Sequence, residues 1–217
     1  MLVLTDGETI RPLEPAQDYK RAFDPTCKTF EVVPCDVFIT EATFALPIYR
    51  WESGESTARE VLAWLDQNIR EKRPSILFCY ALGKAQRLLG ELYALDPTRH
   101  VYVHGAMLPL TKIYRDAGIE MLSTEPVLET TKGKNFGGEL ILAPPSAYRS
   151  PWMNRFKDPD TGFASGWMRV RGNRRRKGYD RGFVLSDHAD WPDLVRTVKD
   201  TGARLILPTH GSTDILS

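Results

Sequence analysis

Ser75–Leu95, SILFCYALGKAQRLLGELYAL, carries two hydrophobic periods in succession. Ser75 to Leu82 is a short continuous apolar run, the pattern of a strand buried on both faces. From Gly83 the apolar residues Leu88, Leu89, Leu92 and Leu95 recur at helical spacing, so a helix is predicted to about Leu95. Strand followed by helix is half of a βαβ unit, and the chain repeats it. HVYVHG, His100–Gly105, is a second strand, and Pro109 to Ala117 a second helix. GGELILAPPS supplies a further strand that stops at Pro144-Pro145. Alternation of this kind predicts an α/β chain built on a parallel sheet.

Outward from this centre, Thr57 and Glu60 form a capping box for a helix to about Lys72, with Leu62, Leu65 and Ile69 on its buried side. MLVLTDGETI reads as strand, Asp-Gly turn and strand. CDVFITEATF, Cys35–Phe44, is a β-branched strand that delivers Glu41 near its end. DPDTGFASG and RGNRRRKG read as loops by their Gly, Pro and charge content. Toward the C-terminus, GFVL leads into His188, a helix follows from about Pro192 to Thr201, and ARLILP leads into His210. Polar residues delivered at the ends of buried strands are how α/β folds assemble sites. His100 and His104 flank a short strand and are read as structural.

Composition limits the function classes. Twenty-nine basic residues against 28 acidic give a net charge of +1, so whole-chain charge calls for no polyanionic partner. Any nucleic-acid preference must come from patches such as RVRGNRRRKGYDR, Arg169–Arg181, where Arg174, Arg175, Arg176 and Lys177 are the candidate phosphate contacts. YRSPWMNRF adds aromatic residues beside Arg149 and Arg155, suited to stacking bases or to packing. Three cysteines without a Cys-x-x-Cys pair exclude a disulfide framework and a thiolate zinc site, and predict reduced, mostly buried thiols in a cytoplasmic protein. The apolar run at Ile76–Leu82 is too short to cross a bilayer, so no membrane partner is expected. Gly83-Lys84 lacks the Walker pattern, since Ala85 holds the Ser/Thr position and Phe78 the first glycine position.

The ordered set QDYKRAFDPTC, ITEATFALPIYRW, LFCYALGKAQRLL, FASGWM, LSDHADWPDL and LPTHGSTDIL resembles the ligase-associated DNA exonucleases. These are a bacterial group within the β-CASP branch of the metallo-β-lactamase-fold nucleases, and the likeness runs from about Asp18 to the last residue. It implies a β-CASP-like parallel-sheet domain, residues 45–181, inserted into part of a metallo-β-lactamase αββα sandwich formed by residues 1–44 and 182–217. The family holds two metal ions, usually zinc. The resemblance makes Asp18 the metal-bridging carboxylate and His210 a ligand of the second metal. It makes Glu41 the carboxylate that orients His188, and His188 the group that contacts the scissile phosphate and protonates the leaving oxygen. The implied activity is metal-dependent hydrolysis of DNA phosphodiesters in end processing and repair, with an ATP-dependent DNA ligase as partner.

Three departures accompany the match. The family's His-x-His-x-Asp-His motif is absent, as is the histidine upstream of the bridging aspartate, which reads as a chain incomplete at its N-terminus with impaired activity. Gln17 stands where the family commonly has glycine. Two other functions keep the same motifs: an RNA 3′-end processing nuclease, and a non-catalytic nucleic-acid-binding fragment. A lactamase-type small-molecule hydrolase is the weakest fit, because the β-CASP motifs imply a polymer substrate.

Overall fold

The computed structural model describes residues 2–4, 18–128, 133–172 and 178–211. The strand expected after the Asp6-Gly7 turn and the basic cluster Arg174, Arg175, Arg176 and Lys177 lie outside the described residues. The chain divides into two compact units. One comprises the described parts of 1–23, 28–51 and 186–217, and the other comprises 24–27 and 52–185. Both are α/β, and the parallel pairing expected from the βαβ alternation is present.

The larger unit is a six-stranded sheet. Its strands are β3 (Ser75–Phe78), β4 (His100–Val103), β5 (Ser123–Pro126), β6 (Leu140–Ala143), β7 (Asp160–Ala164) and β8 (Arg181–Phe183). They lie in the order β5-β4-β6-β3-β7-β8, and every pairing is parallel. Period-2 geometry sends alternate residues of β3 to opposite faces, which explains its continuous apolar run. Leu77 joins a core with Trp64 and Leu65 of α1 (Gly54–Glu71) and Leu88, Leu89 and Leu92 of α2 (Lys84–Leu95). Ile76 and Phe78 face the other way, against Ile141, Phe163, Phe136 and Phe156. That second face is covered by side chains on and beside short 3-10 turns, at Pro145–Ala147, Pro151–Arg155 and Gly166–Arg169, among them Ala147, Trp152, Phe156 and Met168. The second predicted helix is α3 (Leu108–Asp116).

The structure corrects two sequence readings. Helix α1 begins a turn before Thr57. Ser53 is its N-cap, with Oγ accepting the Ser56 amide at 3.1 Å, while Thr57 sits in the helix and donates to the Val184 carbonyl at 2.8 Å. Residues Asp160–Ala164, read as loop, form β7, a fully buried interior strand beside β3. Its turn-like composition has packing causes. Asp160 accepts the Trp64 indole N–H at 2.8 Å, and Thr161 is fixed by Asp180 Oδ2 at 2.6 Å from its hydroxyl. Gly162 lacks a side chain because a Cβ there would lie 2.8 Å from the Phe183 ring and 3.1 Å from Leu77. The thiols are free, but Cys79 alone is buried; Cys27 is exposed and Cys35 half-buried.

The smaller unit holds β1 (Leu2–Leu4), β2 (Val37–Ala42), α4 (Trp191–Thr201) and β9 (Leu205–Gly211). Its sheet order is β1-β2-β9, with β1 antiparallel and β9 parallel to β2. Phe38 and Ala42 of β2, Leu194 of α4, Tyr19 and Ala189 make its core. Asp190 caps α4 by accepting the Asp193 amide at 3.0 Å, and Gly202 closes it in a left-handed conformation. No helix among the described residues is long and apolar enough to cross a membrane.

Gly162→Ala tests the reading of β7. The added methyl must displace the Phe183 ring inside a packed core, at a cost of about 1–3 kcal/mol. Urea unfolding followed by Trp fluorescence measures the loss, and unchanged stability would show that β7 is not tightly enclosed.

Candidate functional site

Three of the four residues singled out by the sequence meet in the smaller unit. Strand β2 buries Phe38, Thr40 and Glu41 and carries Glu41 one residue from its end. The carboxylate is 1% exposed, so it must be hydrogen-bonded or paired to be tolerated. Its Oε2 lies 2.6 Å from His188 Nδ1, and its Oε1 accepts the Tyr19 amide at 3.4 Å. Asp18, immediately before Tyr19, places Oδ1 3.5 Å from the same His188 nitrogen while remaining mostly exposed. Asp18, Glu41 and His188 each offer a donor atom, and these atoms lie within 4.8 Å of one another.

The loop carrying His188 is fixed from several sides. Ser186 Oγ accepts the His188 amide at 3.1 Å, and the His188 carbonyl accepts the Trp51 indole N–H at 3.0 Å. Asp190 accepts the Trp51 amide at 3.0 Å, and the Trp191 amide donates to the Tyr49 carbonyl at 3.0 Å. The Ala189 amide donates to the Tyr19 carbonyl at 2.6 Å, holding the Asp18–Tyr19 segment beside the loop. Phe44 meets the imidazole edge-on, with ring centroids 5.5 Å apart at 82°, and Trp51 meets Phe44 at 4.9 Å and 88°. Tyr19 donates or accepts across 3.1 Å to Thr40, and burial pushes its phenol above the usual range. Trp51 and Phe44 lie in the quoted ITEATFALPIYRW stretch, but their spacing carries no sign that they would wrap a residue 137 or more positions away.

His210 stands apart from that trio. It sits at the exposed end of β9, where the register with β2 slips. Glu41 pairs Thr209 and Ala42 pairs Gly211, so His210 is the extra residue of a bulge, with φ 54°. The following glycine makes this possible: at Gly211, φ 111°, a Cβ would fall 2.1 Å from the Ala42 carbonyl oxygen. His100 and His104 are in the larger unit. His104 caps a 3-10 turn by accepting the Ala106 amide at 3.1 Å, and burial followed by nearby Arg155 lowers its pKa.

The donor set can be tested against the two zinc ions that the resemblance implies. Two ligands on one tetrahedral zinc stand about 3.3 Å apart. The 2.6 Å contact between Glu41 and His188 is therefore a hydrogen bond, with Nδ1 donating to a carboxylate that can only accept. This pair is occupied with itself, which leaves Asp18 as the outward-facing donor of the trio. Asp18 and His210 are fewer than the three or four protein ligands a zinc site takes. The described residues do not by themselves fit a two-zinc centre. They fit an oriented imidazole beside an exposed carboxylate.

No protein-family model matches the chain. A protein of Opitutus terrae named "Probable DNA ligase" is 28% identical over 176 residues, covering 81% of this chain and 17% of the relative. The chain thus spans about a sixth of the length of that curated relative.

Glu41→Gln provides a check on the site that needs no substrate. The amide keeps the shape but weakens a charge-assisted bond, so the downfield Nδ1 proton resonance of His188 should move upfield and broaden. Chemical shifts of the larger unit should stay unchanged. A His188 spectrum identical to wild type would show that the two side chains are not paired in solution.

Proposed function

We propose that the chain is the part of a metallo-β-lactamase-fold, β-CASP-type nuclease that carries the acid and its orienting carboxylate, acting on DNA ends. One observation carries the reading. Glu41 and His188, 147 residues apart, stand 2.6 Å from each other, in the relation that the motif resemblance assigns to them. The similarity to a probable DNA ligase adds a link to DNA metabolism, and an ATP-dependent ligase is the proposed partner. DNA repair or end processing in the cytoplasm is the corresponding setting.

In this reading the buried Glu41 carboxylate holds the Nδ1 proton and the ring plane of His188, and chemistry toward a substrate uses Nε2. Carrying a second proton on Nε2, the ring contacts a non-bridging phosphate oxygen and gives that proton to the departing oxygen, which leaves the neutral Nδ1–H imidazole held by Glu41. Trp51 and Ser186 fix the backbone on which the imidazole rides. When bound, zinc would supply the activated water and charge stabilisation. Asp18 and His210 are the residues that the resemblance assigns to it, and by themselves they are fewer than a zinc site takes. RNA 3′-end processing uses the same groups and is the second reading.

Single-turnover cleavage of end-labelled DNA by the natural gene product, with metal content measured in parallel, tests the assignment. His188→Ala should lower the rate about a hundredfold or more with metal content near normal. His210→Ala should lose metal instead. An unchanged rate for His188→Ala, or metal lost from that variant alone, would overturn these roles. Cleavage of matched RNA in preference to DNA would move the protein to the second reading. Titration of the isolated chain should give fewer than two tightly bound zinc ions, because its matched ligands are too few.

A further inference from the structure

The larger unit holds a cluster that the proposed acid and its carboxylate do not use. Tyr148 and Arg149, after β6, meet Tyr179, before β8, and Tyr80 follows β3, the sheet neighbour of β6. Tyr179 stacks on Phe163 with centroids 4.9 Å apart at 8°, and Tyr148 lies 4.1 Å from it on a tilt of 33°. Phe78, the last residue of β3, touches both tyrosines. The Tyr148 hydroxyl donates to the Gly178 carbonyl. Burial, followed by the neighbouring Tyr148, pushes the Tyr179 phenol up to about 12, with Arg149 and Tyr80 also close enough to act on it. The inner rings are thus a rigid stack. Tyr80 is 51% exposed at its margin, with Lys84 Nζ 5.5 Å from its ring centre.

Arg149 is the unexplained member. Its guanidinium lies 5.1 Å from the Tyr148 ring centre, and it forms no ion pair among the described residues. Its backbone is left-handed, φ 57°, a conformation that non-glycine residues rarely adopt. At Gly178, itself left-handed at φ 71°, an added Cβ would stand 2.6 Å from Arg149 Nη2, so the guanidinium lies against that turn. A strained, preorganised cation with no carboxylate partner among the described residues, set on an aromatic stack with an open ring nearby, is complementary to one unit of a single strand. The ring accepts a base and the guanidinium accepts the adjoining phosphodiester.

We propose that Tyr80 and Arg149, supported by Tyr148 and Tyr179, form a nucleotide subsite for single-stranded DNA in the larger unit. The polymer class rests on the nuclease reading above, whereas the placement rests on the cluster alone. Stacking on Tyr80 needs no particular base, so the subsite should be tolerant of sequence.

Fluorescence anisotropy with a labelled single-stranded DNA, a matched RNA and a free mononucleotide tests it. Tyr80→Ala should raise Kd about tenfold. Arg149→Gly should also weaken binding and lower the slope of log K against log salt by about one. Because glycine suits φ 57°, Arg149→Gly should not lower Tm, which separates a lost contact from a lost fold. Wild-type affinity in both Tyr80→Ala and Arg149→Gly would overturn the subsite while leaving the nuclease reading in place. Absence of any strand binding by the wild-type chain would overturn both. Equal affinity for the free mononucleotide would replace the strand by a small ligand, and tighter binding of RNA would support the subsite with the polymer reassigned.

Discussion

A carboxyl group that is 1% exposed needs hydrogen-bond partners to be tolerated in an apolar strand, and Glu41 finds its partners on two other chain segments. One oxygen takes the His188 ring and the other takes the Tyr19 amide. Satisfying that single group brings residues 19, 41 and 188 together and, with them, the exposed carboxylate of Asp18. The backbone bonds around it follow the same demand. Tyr19 to Ala189, Tyr49 to Trp191 and Trp51 to His188 bind those segments to one another. The smaller unit therefore has a polar centre next to a modest apolar core of Tyr19, Phe38, Leu194 and their neighbours.

The larger unit is organised by the opposite rule. Its parallel strands are buried on both faces, and its hydrogen bonds are mostly the sheet's own. Helices α1 and α2 cover one face with Trp64 and a set of aliphatic residues at helical spacing. The other face is covered by Phe136, Trp152 and Phe156, which pack edge to face, together with Ala147 and Met168 from short turns.

Legibility in the sequence follows the range of the interaction. Strands β3 and β6 and helix α2 are readable because their burial pattern is local and periodic. Glu41 and His188 are readable as strand-end polar residues, and the motif resemblance alone pairs them. Strand β7 is hidden because Asp160, Gly162 and Pro159 look like turn residues, while their actual work is long-range: Asp160 serves Trp64, and Gly162 makes room for Phe183. The start of α1 is obscured for a similar reason, since Thr57 has a capping residue's chemistry but commits its hydroxyl to Val184. The convergence of residues 80, 148, 149 and 179 has no local signature at all.

Backbone strain gives an independent way to sort these residues. Among the described residues, Lys72, Arg149, Asp158 and His210 are the non-glycine positions with positive φ. Lys72 is accounted for as the C-cap of α1, where its amide donates to Asn68 and Ile69 and the left-handed turn ends the helix. Asp158 is accounted for by Arg73, which bonds its carbonyl at 3.2 Å and its carboxylate at 3.3 Å. Arg149 and His210 have no such local compensation. The His210 bulge needs Gly211, where a Cβ would meet the Ala42 carbonyl, and the Arg149 guanidinium lies against Gly178. A glycine in place of either residue would relieve the strain, so stability does not explain why a histidine and an arginine occupy these positions. What glycine could not supply is an imidazole at the end of β9 and a guanidinium on the tyrosine stack, and those are the groups that the proposed metal and strand contacts require.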